Sequence, residues 1–341
     1  MAADPPGLDL ARFRAFFEGA RPGAVDGTLR AQVIAGGKSN LTYEVTDGSS
    51  WWVVRRPPLG HVLATAHDMA REFRVTSALQ GTDVPVPETF ALCEDPDVLG
   101  APFYVMERVA GTPYRTASQL EPLGPERIAA ISARMVDTLA ILHQVVPADV
   151  GLGDFGRPEG FLARQVRRWR KQLDASHSRH LAGADELHRL LGSNIPVEGP
   201  PAVVHGDYRL DNLLVDGADR VAAVIDWEMS TVGDPLTDVA LLVVYQTMVD
   251  LDVGSAVADA STAAGFLANE EILRQYADRS GRDMSAMGFY LALASFKLAG
   301  ILEGVHYRYI QGQTVGAGFD TVGAVVEPLI DAGLTSLKEG T

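Results

Sequence analysis

The period of the apolar positions changes part-way along this chain. In residues 8–20, Leu8, Leu10, Phe13, Phe16 and Phe17 fall at helical spacing, which predicts an amphipathic helix. Strand-like runs follow at 29–34, 41–46 and 51–56, with Asp47-Gly48-Ser49-Ser50 as a hairpin signal between the last two. Pro57 and Pro58 end the third run, because proline has no N–H to give to a ladder. Residues 63–79 read as a helix with Met69, Phe73 and Leu79 apolar and Glu72 on the polar side. Val84-Pro85-Val86-Pro87 is an extended link, and 88–93 and 103–109 read as two more strands. Beyond Gly111 the period turns helical, at 125–145, 161–173, 185–191, 236–249, 270–280, 284–310 and 322–337. The pattern predicts an α+β protein with two lobes. Residues 1–109 would form a five-stranded antiparallel sheet with one helix, and 110–341 a larger, mainly helical lobe.

Within the helical part, two short β-runs at 213–215 and 221–225 are joined by Asp216-Gly217-Ala218-Asp219, a second hairpin signal. Before them stands His205-Gly206-Asp207-Tyr208-Arg209-Leu210-Asp211-Asn212, and directly after them Asp226. A hairpin brings Asn212, at the start of one strand, toward Asp226, at the end of the other. An amide oxygen and a carboxylate are hard ligands that suit Mg²⁺, with phosphates and waters completing the octahedron. Asp207 is placed to orient an attacking hydroxyl and accept its proton. Segments 203–214 and 221–238 are therefore the expected catalytic loop and metal-binding segment.

The sheet offers the complementary parts. Gly36-Gly37-Lys38-Ser39-Asn40 is a tight turn between the first two strands, where backbone N–H groups of Gly37, Ser39 and Asn40 could cradle phosphate. It is not the glycine pattern of protein kinases. Alternation puts Trp51, Val53 and Arg55 on one face of the third strand and Trp52, Val54 and Arg56 on the other. One of the two arginines thus points into whatever the sheet lines, where it would hold phosphates bidentately. Glu72 is a possible partner for it.

The strings HGDYRLDNLLV, VIDWE and GDPLTD resemble the aminoglycoside-phosphotransferase-like family of small-molecule kinases, relatives of the protein kinases. The chain is most similar to the branch of kinase domains associated with acyl-CoA dehydrogenases. The resemblance runs from about residue 36 to 238 and implies a bilobal, protein-kinase-like fold using ATP or GTP with Mg²⁺. It implies Asp207 as catalytic base, Asn212 and Asp226 as metal ligands, and Arg55 at the phosphate-binding lysine position with Glu72 as its partner. Glu107 and Val109 would meet adenine through backbone groups at the hinge. His205 would tie the loop together, and Asp234 and Asp238 would cap and brace the next helix. Arginine in place of lysine leaves the choice between Arg55 and Arg56 open. Gly233 follows seven positions after Asp226, which leaves no room for a long activation loop and disfavours a protein-serine kinase.

Composition narrows the partners. The 341 residues carry 29 Lys+Arg against 44 Asp+Glu, a net charge of −15, which argues against nucleic-acid binding. The single cysteine, Cys93, excludes an internal disulfide and fits a cytoplasmic setting. The chain opens without the basic-then-apolar order of a signal peptide, and no uninterrupted apolar run approaches a membrane span. Residues 161–171 are locally basic, with Arg164, Arg167, Arg168, Arg170 and Lys171, and would suit an anionic substrate. The aromatic residues of 284–310 are expected to pack the core, with lining of the acceptor pocket as the alternative. The function these features predict is transfer of a nucleotide γ-phosphate to a hydroxyl of a small molecule: aminoglycoside-like, hydroxyacyl or another alcohol. The alternative is a catalytically silent, kinase-like binding or scaffold protein.

Overall fold

The computed structural model describes residues 4–34, 40–60, 67–176, 179–249, 258–314 and 318–339. The chain begins with α1 (Leu10–Ala20), whose N-cap Asp9 accepts from the Arg12 N–H. It continues through β1 (Arg30–Val33), β2 (Leu41–Thr46), β3 (Trp51–Arg56), α2 (Met69–Leu79), β4 (Thr89–Cys93), α3 (Pro96–Leu99) and β5 (Phe103–Glu107). The helical part holds α4 (Ala117–Leu120), α5 (Pro125–Leu142), α6 (Phe161–Ser176) and α7 (Ala184–Ser193). Three short strands follow, β6 (Ala202–Val204), β7 (Leu213–Val215) and β8 (Val221–Val224), then β9 (Thr231–Gly233). The chain closes with α8 (Leu236–Val249), α9 (Asn269–Ser280), α10 (Met287–Ile310) and α11 (Val326–Glu339). This is the α+β architecture that the apolar pattern predicts.

Two compact units result. The first takes Met1–Gly111 together with Ala222–Glu228, and the second takes Thr112–Val221 and Met229–Thr341. In the first, five strands pair antiparallel in the order β1-β2-β3-β5-β4. Phe13 and Phe17 of α1 pack on Trp52, Val54, Phe103 and Val105, all buried. Burying each such aromatic or aliphatic side chain contributes about 1.5–3 kcal/mol. Cys93 lies in the same core, a buried thiol whose pKa burial pushes up, as an inert structural cysteine requires. Arg56 shares the face of Trp52 and Val54. Its guanidinium is absorbed by two backbone carbonyls, those of Gly7 at 2.6 Å and Leu99 at 2.7 Å. Arg55 therefore takes the opposite face. The segment Ala222–Glu228 joins this unit through the Val224 N–H, which donates to Pro85 O at 2.8 Å.

In the second unit α10 is the central helix, packed by α6, α8 and α11. It is long and apolar enough to cross a bilayer by length and composition, although no uninterrupted apolar run announces it. Within its most apolar window 67% of the residues are buried inside the fold, so neighbouring helices account for its hydropathy. Phe289, Tyr290 and Phe296 are core residues, as expected of this stretch, but Tyr307 and Tyr309 are exposed, because the last turns of α10 run past the packing helices. β6 pairs antiparallel with β9, a strand too short for the apolar pattern to reveal. This pairing takes up the residues just before Asp234, in the stretch where an activation loop would otherwise lie.

Candidate active site

The site residues expected from the sequence form one cluster in each unit. In the first, β3 presents Arg55, whose side chain is 10% exposed. Its Nε donates to Glu72 Oε2 at 2.8 Å, and Nη2 donates to Asp226 Oδ1. Glu228 Oε2 lies 4.0 Å from the same nitrogen. Glu72, from the first turn of α2, is 1% exposed and accepts two further bonds, from Asn40 Nδ2 and Tyr104 Oη, both at 3.2 Å. Burial opposes the Arg55 charge, but Glu72, Tyr104, Asp226 and Glu228 outweigh it and hold the guanidinium protonated beyond its ordinary range. Burial pushes the Glu72 carboxyl up against the pull of Arg55. With three donors converging on it, the carboxylate is the form these hydrogen bonds require.

Asp226 has φ +68°, a left-handed conformation uncommon for any residue but glycine, and best tolerated by Asp and Asn. Backbone strain of this kind gathers at functional sites. Asn40 is buried, donates to Glu228 Oε2 at 3.0 Å and meets His67 Nδ1 through Oδ1 at 2.8 Å. Its side chain is thus built into the acidic cluster, and Gly37 and Ser39 lie outside the described residues. At the expected hinge, the Glu107 N–H already donates to Glu88 O at 2.7 Å, while Val109 is half-buried two residues beyond the strand.

In the second unit, the turn after β6 carries Asp207. Asn212 donates its Nδ2 to Asp207 O at 2.8 Å and to Oδ2 at 3.1 Å. The amide nitrogen is spent on Asp207, which leaves Oδ1 as the metal-competent atom of Asn212. Oδ1 of Asp207 accepts from the Tyr245 hydroxyl at 2.7 Å. The backbone beneath is clamped twice. Asp238 of α8 accepts from the N–H groups of His205 at 2.7 Å and Gly206 at 2.8 Å. Lys297 of α10 donates to Gly206 O at 2.7 Å, and burial pushes its ammonium pKa down. Gly206 has φ +84°, and a Cβ there would sit 2.5 Å from Met229 O.

The supporting residues fall into place around this turn. His205 is fully buried and accepts the Asp207 N–H through Nδ1 at 3.3 Å. Asp234 accepts the Leu236 N–H at the start of α8 and the Tyr290 hydroxyl at 2.7 Å. Asp238 also accepts from His143 Nε2 at 3.2 Å, with Tyr276 on the other ring nitrogen at 2.8 Å. The β7–β8 hairpin is present, with Asn212 in the second unit and Asp226 in the first. Tyr245, Lys297 and Glu228 escape the sequence reading. Glu228 alone had a signal, two positions after Asp226 in the VIDWE string.

The chain has relatives among known proteins. A family model described as "Phosphotransferase enzyme family" matches residues 30–288. The chain belongs to this phosphotransferase family. Acyl-CoA dehydrogenase family member 11 of Rattus norvegicus is 36% identical over 306 residues, 87% of this phosphotransferase-family chain and 39% of that protein. The chain spans about two fifths of the length of such curated relatives. A solved structure from Ralstonia eutropha, a candidate aminoglycoside phosphotransferase, is 33% identical with a TM-score of 0.84, covering 97% of this chain and 98% of that one. An aminoglycoside phosphotransferase solved with ADP and hygromycin B superposes with a TM-score of 0.61 at 17% identity, covering 95% of this chain and 97% of that one. At that identity it shows the shared fold alone. The fold is that of the aminoglycoside phosphotransferases.

Proposed function

We propose that this protein is a Mg²⁺-dependent phosphotransferase moving the γ-phosphate of ATP or GTP to a hydroxyl of a small molecule. The observation that carries the reading is Asp207. Its carboxylate is oriented by Asn212 and Tyr245 on a turn whose backbone is clamped by Asp238 and Lys297. A carboxylate held this firmly can fix an acceptor hydroxyl in line with a phosphate and take its proton, the positioning that phosphoryl transfer chiefly requires. Arg55, kept cationic by Glu72, would bind phosphate oxygens. Backbone groups at Glu107 and Val109 would meet the base.

The donor set fits magnesium. No group of three or more His, Cys, Asp or Glu side chains suited to a metal occurs among the described residues. Asn212 Oδ1 and the Asp226 carboxylate would each offer a hard oxygen ligand. That fits an ion completed by phosphate and water better than one caged by protein. Such an ion, when bound, supplies charge neutralisation at the phosphates.

A catalytically silent nucleotide-binding protein is the second reading, favoured by the engagement of Asp226 with Arg55. Turnover of Mg-ATP and Mg-GTP against a panel of alcohols, amino sugars and hydroxyacyl thioesters separates the two. Asp207→Ala and Asp226→Ala should each lower turnover by about 10²–10⁴-fold with circular dichroism unchanged. Turnover that survives both substitutions rules out the phosphotransfer reading, and calorimetric binding of Mg-nucleotide without turnover on any alcohol supports the silent one.

A further inference from the structure

We infer that the acceptor site is a pocket in the second unit, and that it takes an uncharged alcohol with an apolar body and one hydrogen-bond donor group. The inference rests on the phosphotransfer reading for its link to Asp207, and on the pocket itself for its chemistry. The walls are largely apolar, including Tyr114, Met135, Leu242 and Phe266, and Tyr245 and Gln246 of α8 also line it. Tyr245 ties the pocket to the candidate base, since its hydroxyl donates to Asp207 Oδ1 at 2.7 Å.

Two features set the ligand class. The first is charge. Asp211 is the one carboxylate among the described lining residues, and Arg209 holds it with both ends of its guanidinium, Nε to Oδ1 at 2.6 Å and Nη2 to Oδ2. Arg209 in turn lies over the Tyr245 ring, 5.1 Å from its centroid. The pair is neutral overall, and a polycationic amino sugar needs several uncommitted carboxylates to replace its hydration.

The second feature is Gln246. Its amide donates Nε2 to Leu267 O at 3.3 Å, and because a carbonyl can only accept, that contact settles which end of the amide is nitrogen. Oε1 is then buried, and among the described residues it has no hydrogen-bond partner. Buried amide oxygens are almost always paired, so this unpaired one, on a residue that lines the pocket, is the acceptor we assign to a ligand N–H or O–H. The ligand that matches carries its reacting hydroxyl toward Tyr245 and Asp207, buries an aliphatic stretch along Leu242 and Phe266, and donates once to Gln246.

Saturation-transfer NMR on the full chain tests this with four probes: N-(6-hydroxyhexyl)acetamide, its N-methyl derivative, 1-hexanol and kanamycin. The secondary amide should bind about tenfold more tightly than 1-hexanol or the N-methyl derivative, the equivalent of one hydrogen bond, and kanamycin most weakly. Gln246→Leu should erase the preference for the secondary amide. The N-methyl comparison gives the same answer on the unaltered protein if that variant fails to fold. Tightest binding of kanamycin, equal affinity for the two amides, or no binding of any probe would overturn the pocket assignment. Binding needs no turnover. Amide that binds as expected but is never phosphorylated in the presence of Mg-nucleotide counts against the phosphotransfer reading and leaves the pocket standing.

Discussion

Replacing Glu72 is the sharpest test of how the first unit holds its cation. Glu72→Ala removes the acceptor of three donors together: Arg55 Nε, Asn40 Nδ2 and Tyr104 Oη. Breaking a buried ion pair from one side costs about 3–5 kcal/mol, and each further orphaned donor about 1 kcal/mol or more. Arg55 keeps Asp226, whose side chain is 28% exposed, so part of the loss is recovered through that pair and through water. The net expectation is about 3–5 kcal/mol. Glu72→Gln preserves shape and one acceptor oxygen and should cost about 1.5–3 kcal/mol, the worth of hydrogen bonds to a charged group. Urea unfolding followed by tryptophan emission reads this unit preferentially, because Trp51, Trp52 and Trp227 lie in it and Trp169 in the other. With a denaturant slope of about 2 kcal/mol per molar, the alanine midpoint should fall by about 1.5–2.5 M. A fall under about 0.5 M for alanine, or equal falls for alanine and glutamine, would refute the view that a carboxylate organises this network.

Two further outcomes follow from the second unit. Gly206→Ala forces a Cβ to within 2.5 Å of Met229 O at φ +84°. It should cost at least about 1–2 kcal/mol and shift Asp207, so that turnover falls more than thermal stability does; an alanine variant with unchanged turnover contradicts the clamped turn. Stability should also fall with pH. Burial holds His143 below its ordinary 6.5 although Asp238 opposes this, so the residue folds neutral. Its stabilising contribution is complete above about pH 6.5 and is lost as pH drops from there toward the folded value. Asp238 is held below its ordinary 3.8 against burial by His143, His205 and the Gly206 N–H, so its contribution disappears at still lower pH. Thermal unfolding between pH 7 and 5 checks the sign, and His143→Gln should flatten the slope in that window.

Much of this site can be read in the sequence because its chemistry is local. Asp207 and Asn212 are five positions apart on one turn, and Glu72 falls on the polar side of its helix. Period alone could not choose between Arg55 and Arg56, since both faces of β3 are apolar up to the arginines. The choice depends on which face α1 covers, and that follows from Phe13 and Phe17 meeting Trp52 and Val54. Tyr245 left no trace. It lies 38 positions beyond Asp207 in a helix apolar on nearly every side, so nothing in its neighbourhood distinguishes it from core. Lys297 is hidden in the same way in the middle of α10. β9 is three residues long and gains its strand geometry from β6.

The membership of Ala222–Glu228 in the first unit has a consequence for synthesis on the ribosome. All five strands of the sheet have been synthesised once residue 107 is made, but Asp226 and Glu228 arrive more than a hundred residues later. At about 5–20 residues per second that is a wait of roughly 6–24 seconds. For this interval Arg55 has Glu72 as a carboxylate partner but neither of the others, and the Pro85 carbonyl waits for Val224. Completion of the first unit thus waits on translation of residues 112–228. Expressed alone, residues 1–111 would keep Glu72 beside Arg55 but lack Asp226 and Glu228, the other two acids that face it.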